Sequence, residues 1–229
     1  MTLFGTSGIR GPVGETVTAE LALSLGRALG VDRSRVVVGR DPRASGEYLQ
    51  SALVAGLRES GTDVLDVGVA PTPAVARAGG WRDADAGVSV TASHNPPEDN
   101  GLKLWQPSGQ AFNGDQRDRI EKRMAAEAFD PAAWDAVGGV EPYDARGRHA
   151  EAIRADLRRE KLDSHVVVDV GNGAGGVTVD VLQSLDADVE TLNAQPDGAF
   201  PGRPSAPKAE NCTALSTLVA ESDADMGIA

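Results

Sequence analysis

The stretch formed by residues 88–105 constrains the fold of this chain more than any other part of the sequence. It begins with the largely β-branched run Val88–Thr91, which is typical of a buried strand. Ser93 follows, then the stiff pair Pro96-Pro97, and the turn pair Asn100-Gly101 leads into a second apolar strand. An ordinary loop that contains a serine is the simpler reading. The clustering of strands, prolines and a turn instead favours a loop that holds one serine in an exposed position at the end of a strand.

Apolar spacing along the rest of the chain predicts alternating strands and helices. Such alternation indicates the α/β class, with layered, mostly parallel sheet domains and helices on both faces. Ligands of such sheets bind at the carboxyl ends of strands, where Ser93 is expected. The predicted helices are Thr18–Leu29, Ser45–Arg58, a short one opened by Pro71, Asp115–Ala128, His149–Leu162 and Cys212–Ala220, and the predicted strands include Val36–Val38, Val64–Val69, His165–Val170 and Ala187–Leu192.

The segment Phe129–Val140 is loose and rich in Asp, Pro and Gly, which indicates a domain boundary. We therefore predict a serine-bearing α/β domain over residues 1–140 and a second, incomplete α/β domain over residues 141–229. A chain of 229 residues is long enough for two such cores.

Composition excludes some classes of partner. Thirty-four acidic and 22 basic residues give a net charge of −12, which disfavours nonspecific binding to nucleic acid or to an anionic membrane. Cys212 is the single cysteine, so no internal disulfide can form, as is typical of a reducing cytoplasm. The sequence has neither a long apolar run nor a basic-then-apolar leader, so we expect no membrane span and no signal peptide.

Two glycine-rich segments are candidate ligand-binding sites. Residues 5–11 contain three glycines with Arg10 among them, so backbone amides and a guanidinium could face an anion. Gly171, Gly173 and Gly176 follow a predicted strand with the spacing of a dinucleotide-binding turn, and Glu190 lies near the position of a ribose-binding acid. An NAD-type binding domain is therefore one alternative. The other role for these glycines is close packing of the strand-to-helix turn.

Four sequence blocks together resemble the phosphohexomutases, the family of phosphoglucomutase, phosphomannomutase and phosphoglucosamine mutase. The first resembles the family's phosphoserine loop and the second its N-terminal signature, and all four occur in the family's order. The blocks are Thr91–Pro96 with Asn100–Lys103, Phe4–Gly11, Gly39–Arg43 and Asp169–Gly175.

The resemblance covers nearly all of this chain but only about the first half of the family's usual length. It implies phosphohexomutase domain I followed by most of domain II, ending before the aspartate loop that holds Mg²⁺. It also implies interconversion of hexose 1-phosphate and hexose 6-phosphate through a phosphoserine enzyme and a hexose 1,6-bisphosphate. With the metal loop and the sugar-binding domains absent, residues 1–229 alone are expected to lack multiple turnover.

The resemblance also assigns residue roles. Ser93 would carry the phosphoryl group and would bind Mg²⁺ through a phosphoryl oxygen. Lys103 would be an electrostatic clamp or a proton shuttle, and Arg10 a second fixed charge. His94 would hydrogen bond within the site, because adjacent side chains on an extended chain point apart and make a poor hydrolase pair. Thr6, Ser7 and Asn95 would complete the phosphate site and its loop.

Several points stay open at this stage. Thr6-Ser7-Gly8 favours phosphomannomutase or phosphoglucomutase over phosphoglucosamine mutase, which remains an alternative, as does a non-catalytic phosphosugar-binding remnant. The oligomeric state cannot be read from the sequence. His149 and His165 are predicted to be a surface residue and a strand-start residue. Arg40, Asp41 and Arg43 are predicted to form a turn held by internal ion pairs, with contact to the serine site as a further possibility.

Overall fold

The computed structural model describes residues 3–5, 8–158 and 161–229 and contains two β-sheets with helices packed against them. The strands are β1 (Ile9–Pro12), β2 (Arg35–Arg40), β3 (Asp63–Val69), β4 (Ala86–Val90), β5 (Asp99–Trp105), β6 (Val140–Pro142), β7 (His165–Asp169), β8 (Asp188–Leu192) and β9 (Met226–Ile228). The α-helices are α1 (Ala19–Gly30), α2 (Gly46–Glu59), α3 (Thr72–Trp81), α4 (Gly114–Ala125), α5 (Ala145–Asp156), α6 (Val177–Gln183) and α7 (Thr213–Glu221).

The first sheet has six strands in the order β1-β5-β4-β2-β3-β6. Strands β2, β3, β4 and β6 are parallel, whereas β5 is antiparallel to both of its neighbours. The second sheet has the order β8-β7-β9 and is parallel throughout. The α/β class with mostly parallel sheets is therefore confirmed.

Alternate residues of the central strand β2 serve two different cores. Val36 and Val38 are fully buried on one face, in a cluster with leucines of α1 and α2. Val37 is buried on the other face, in a second cluster with residues of α3 and with Ala145 of α5. Side chains alternate across a strand, so a continuous apolar strand implies that both faces are covered. Helices on both faces are thus confirmed for this sheet.

Helices α1 and α2 touch through their backbones. A Cβ atom at Gly26 would lie 2.2 Å from the carbonyl oxygen of Leu53, and one at Gly56 would lie 2.3 Å from that of Leu23. Neither position has room for a side chain. The two glycines therefore allow the backbones of α1 and α2 to approach each other closely.

The region around the predicted boundary differs in detail from the sequence prediction. The connecting helix begins at Ala145 rather than His149, because the carboxylate of Asp144 accepts a hydrogen bond from Gly147 N at 2.8 Å and caps it. The helix ends at Asp156. His149 was predicted to lie on the surface and is instead buried beside Trp81, so that prediction was wrong. His165 does begin a strand, as predicted.

Candidate active site

Ser93 lies just beyond the carboxyl end of β4, where the strand leaves the sheet. Its backbone has φ of +61°, the left-handed region that a residue with a Cβ atom rarely adopts, and its side chain is exposed. Strand β4 is paired with β2 on one side and with β5 on the other. Ser93 is therefore a rigidly rooted, solvent-accessible hydroxyl in an unusual backbone conformation.

Both peptide groups of Ser93 are hydrogen bonded by nearby side chains. Its N–H donates to Thr91 Oγ1 at 2.9 Å, and its carbonyl oxygen accepts from Arg43 Nη2 at 3.1 Å. The Thr91 hydroxyl in turn donates to Asp41 Oδ2 at 2.6 Å, and Arg43 Nε donates to the same oxygen at 3.0 Å. One carboxylate thus joins the two side chains that flank the serine.

The guanidinium of Arg43 holds the whole serine loop, which comprises residues 93–99. Its side chain is fully buried. Besides Nε, Nη1 donates to the carbonyl oxygens of Pro96 and Asp99, and Nη2 donates to those of Ser93 and Asn95. A guanidinium has five N–H groups, so all of them are used. Arg43 therefore ties the turn after β2 to the turn after β4.

A loop that follows β8 closes over this arrangement. The ring of Phe200 lies 5.0 Å from Arg43 Cζ, a cation–π distance. The Ser205 hydroxyl lies within hydrogen-bond distance of two carbonyl oxygens, those of His94 at 2.9 Å and Asn95 at 2.7 Å. The serine loop is thus supported by residues from both sheets' connections.

Ser93 opens onto a cleft of about 380 Å³ between the two sheets' loops. The cleft is lined from the first sheet by Arg40–Pro42, Ala70–Thr72, Ser89, Thr91, Ser93 and His94, and from the second by Gly173–Gly175, Phe200, Ser205 and Pro207. A larger cavity of about 730 Å³ lies against α1 and α4 and does not include Ser93. We assign the site to the smaller cleft, because it contains the carboxyl ends of β2 and β4, where parallel sheets bind ligands.

Arg10 reaches the serine loop from β1. Its Nη1 donates to Asn95 Oδ1 at 3.2 Å, while Asn95 Nδ2 donates to Asp99 Oδ2 at 2.7 Å. The Asn95 amide therefore bridges a positive charge from the N-terminal segment and a carboxylate at the start of β5. The structure brings together three of the predicted site elements: Ser93, Asn95 and Arg10.

Lys103 lies on β5 directly opposite Ser89 of β4. It is half-buried and lines a separate cavity of about 170 Å³ with Phe4 and Phe112 among its walls. Burial is the main cause that lowers the pKa of Lys103, the Arg10 charge lowers it further, and Asp41 opposes both. The lysine is thus close enough to interact electrostatically with the charged residues of the serine site, although it does not line the cleft.

His94 is exposed next to Ser93, and its Nδ1 lies 3.4 Å from Ser93 Oγ. On an extended chain, neighbouring side chains such as those of Ser93 and His94 would point apart. The positive φ at Ser93 departs from an extended chain and lets the two side chains meet, at the outer limit of a hydrogen bond. Thr6 and Ser7, the two other predicted phosphate contacts, lie outside the described residues.

Across residues 3–5, 8–158 and 161–229, no three His, Cys, Asp or Glu side chains cluster so that they could hold a metal ion. In this same part of the chain, no helix combines the length and apolar character needed to cross a bilayer.

The glycine turn after β7 is packed against arginines. Gly171 has φ of +62°, and a Cβ atom there would lie 2.6 Å from the guanidinium of Arg203. Arg203 Nε donates to the buried Asp169 at the end of β7. Glu190, the candidate ribose acid, is instead 3.7 Å from His165 at the opposite end of that strand. These contacts favour close packing over a dinucleotide site as the reason for the glycines.

Sequence reasoning missed the central position of Arg43, Asp41 and Thr91. The predicted ion pair within the turn exists, between Arg43 and Asp41, and the turn does contact the serine loop. The signal that could have found it is the end of a buried strand followed by charged residues, since carboxyl ends of parallel strands share one sheet edge. Phe200 and Ser205 gave no such signal.

The geometry first defines a class: two consecutive α/β units whose loops enclose a cleft around one strand-tip serine. Profiles of phosphoglucomutase/phosphomannomutase alpha/beta/alpha domain I and domain II match residues 1–131 and 148–229, respectively. The chain belongs to the phosphoglucomutase/phosphomannomutase family.

Individual relatives agree with this assignment. A "Probable phosphoglucosamine mutase" of Methanococcoides burtonii is 45% identical over 100% of this chain and 52% of its own length. A "Phosphoglucomutase/phosphomannomutase" of Thermococcus kodakarensis is 42% identical over 99% and 52%. The crystal structure of a phosphoglucomutase/phosphomannomutase family protein from Burkholderia thailandensis has a TM-score of 0.83 and 36% identity, over 99% of this chain and 51% of that chain. The chain spans about half the length of the curated relatives it matches.

Proposed function

We propose that residues 1–229 supply the phosphoryl-carrying serine of a phosphohexomutase, with Ser93 as the carrier. The observation that carries the proposal is the exposed Ser93 hydroxyl, held at the carboxyl end of β4 and facing a cleft between two α/β domains. Phosphoryl transfer depends mainly on positioning and on neutralising charge, which a fixed hydroxyl with a nearby cation supports. We propose the domain division at residues 1–140 and 141–229, with Glu141 and Pro142 of β6 still completing the edge of the first sheet.

The chemistry proposed for Ser93 is a reversible exchange. Ser93 Oγ forms a bond to a phosphorus of a hexose 1,6-bisphosphate, the bond from that phosphorus to the sugar oxygen breaks, and the serine proton ends on that oxygen. In the return step, the free hydroxyl of a hexose monophosphate forms a bond to the phosphorus on Ser93, the bond from that phosphorus to Ser93 Oγ breaks, and the proton of the sugar hydroxyl ends on Ser93 Oγ. Donation to one sugar oxygen and removal from the other exchange hexose 1-phosphate for hexose 6-phosphate. A phosphoryl group cannot pass directly between the two oxygens of one sugar across the ring, so the serine carries it between them.

Nearby residues support the exchange in proposed roles. Arg10 contributes a fixed positive charge on the serine loop. The lowered pKa of Lys103 favours an amine that can accept a proton, and His94 Nδ1 is the ring nitrogen within 3.4 Å of Ser93 Oγ. Mg²⁺ remains part of the proposal as a cation that would neutralise phosphate charge, with its carboxylate ligands supplied from outside the described residues. A cytoplasmic location is proposed from the single cysteine, Cys212.

Two classes of substrate are proposed. The Thr6-Ser7-Gly8 sequence favours glucose or mannose phosphates. The second class, glucosamine phosphate, is favoured by relatives such as the Methanosarcina acetivorans protein, 46% identical and named "Probable phosphoglucosamine mutase". Discharge of phosphorylated protein by each hexose phosphate in a single turnover distinguishes the two classes, because the true substrate should remove the phosphoryl group fastest.

Intact-mass spectrometry after incubation with glucose 1,6-bisphosphate tests the carrier itself. We expect one phosphoryl adduct on the wild-type chain and on Ser108→Ala, an exposed loop serine that serves as the control, and no adduct on Ser93→Ala. An adduct that persists in Ser93→Ala would refute the assignment. A thermal shift with hexose phosphates in a chain that never gains an adduct would indicate a phosphosugar-binding remnant instead.

A further inference from the structure

We propose that Thr91, Asp41 and Arg43 are positioning residues that together hold Ser93 in its left-handed backbone conformation. The proposal rests on the proposed function only for what the Ser93 hydroxyl does, since the contacts themselves concern the backbone. It extends the site beyond the predicted residues to a hydrogen-bonded unit from two separate strand ends.

The unusual conformation of Ser93 calls for such a unit. A residue with a Cβ atom is disfavoured at φ of +61° and keeps that conformation only where its surroundings fix it. The N–H on one side of Ser93 is held by Thr91 Oγ1, and the carbonyl on the other side by Arg43 Nη2. Restraints on both flanking peptide groups leave the φ and ψ angles of the serine little freedom.

The two restraints are joined by one carboxylate. Asp41 Oδ2 accepts hydrogen bonds from both the Thr91 hydroxyl and Arg43 Nε. Because the Thr91 hydroxyl donates its hydrogen to Asp41, its oxygen remains the acceptor for the N–H of Ser93. The carboxylate therefore sets the direction of the Thr91 hydroxyl as well as the orientation of the guanidinium.

Only an arginine can fill the central position. Arg43 directs four N–H groups to carbonyl oxygens of residues 93, 95, 96 and 99 while a fifth meets Asp41. A lysine has three donors and no planar fork, so it leaves some of these carbonyl oxygens without the donors that Arg43 supplies. The arrangement shapes the whole loop from Ser93 to Asp99 as one piece, and a misplacement of about 1 Å at a reacting atom costs about 100-fold in rate.

The test compares Thr91→Val, which removes the hydroxyl at similar size, with Thr91→Ser, which keeps it. Thr62→Val is the matched control. Thr62 is buried, as Thr91 is, but its hydroxyl donates to the backbone carbonyl oxygen of Arg33 at 2.9 Å, outside the site. The readouts are amide hydrogen exchange at Ser93 by NMR and the rate of Ser93 phosphorylation from glucose 1,6-bisphosphate by intact mass. Arg43→Lys provides a second, independent variant.

We expect Thr91→Val to speed exchange at the Ser93 amide and to slow its phosphorylation by about 10- to 100-fold. Thr91→Ser should restore both readouts, Thr62→Val should change neither, and Arg43→Lys should act like Thr91→Val. Wild-type exchange and phosphorylation in both Thr91→Val and Arg43→Lys would overturn the positioning role. If the wild-type chain gains no phosphoryl group, the proposed function fails for this chain, and exchange at Ser93 alone decides the positioning role.

Discussion

Gly198, in the loop after β8, packs closely against the backbone of residues 42–44 beside the serine site. A Cβ atom there would lie 2.5 Å from Arg43 Cα, 2.5 Å from the carbonyl oxygen of Pro42 and 2.6 Å from Ala44 N. All three are backbone atoms, which cannot swing aside as a flexible side chain can. In Gly198→Ala the loop must therefore retreat by about 0.9 Å to reach ordinary contact at 3.4 Å.

The cost of that retreat can be worked out from the contacts that the loop makes. The Ser205 hydroxyl would lose its hydrogen bonds to the serine loop, at about 1 kcal/mol. The stacking of Phe200 on the Arg43 guanidinium would weaken, at about 1 kcal/mol. Residual strain adds up to about 1 kcal/mol more, so we expect a loss of about 2–3 kcal/mol in the free energy of unfolding.

Thermal unfolding followed by circular dichroism checks this value. For a chain of this size the expected loss lowers Tm by about 4–12 °C. Gly173→Ala is the control, because a Cβ atom there would lie 3.5 Å from the carbonyl oxygen of Val170, an ordinary contact in the same cleft. If Gly198→Ala melts at the same temperature as Gly173→Ala, the close packing of the two domains' loops is refuted.

Three other changes test different parts of the fold. Gly56→Ala should destabilise the protein by about 1–3 kcal/mol in denaturant unfolding, because its Cβ would lie 2.3 Å from a carbonyl oxygen of α1, whereas Gly114→Ala, with open space around it, should not. Burial, then the neighbouring arginine charge, lowers the pKa of His149 below 6.5, so the unfolded state binds more protons below that pH. The free energy of unfolding should therefore fall as pH drops through 6.5 toward the native pKa, and His149→Phe should flatten this dependence in denaturant titrations on either side of that pH. Asp169→Asn should cost about 3–5 kcal/mol by leaving the guanidinium of Arg203 buried without its charge partner, and adding Arg203→Met should recover part of that loss in the same unfolding assay.

Local signals predicted most of the architecture. Leucines four residues apart in α2, among them Leu53 and Leu57, are all fully buried, and Thr18 caps α1 as predicted by accepting a hydrogen bond from Leu21 N at 3.1 Å. These features depend on residues close together in the chain, so the sequence contains them directly. The start of α5 was predicted four residues too late because the Asp144 cap was overlooked.

The candidate site was predictable only in part. The serine loop stood out because its prolines, turn pair and flanking strands are contiguous in sequence. The hydrogen bonds from Arg43 to that loop span about fifty residues, and they depend on β2 and β4 being neighbours in the sheet. Neither this adjacency nor the left-handed backbone of Ser93 follows from residue types alone. The loop with Ser205 is more distant still, since it comes from the second sheet.

The dependence of the serine loop on Arg43 has a consequence for protein engineering. A graft of the contiguous segment 91–103 onto a foreign sheet would transfer the hydroxyl but leave carbonyl groups that the guanidinium now satisfies without donors. The smallest transplantable unit is discontinuous: it comprises two adjacent parallel strand ends, with Asp41 and Arg43 on one and the loop on the other.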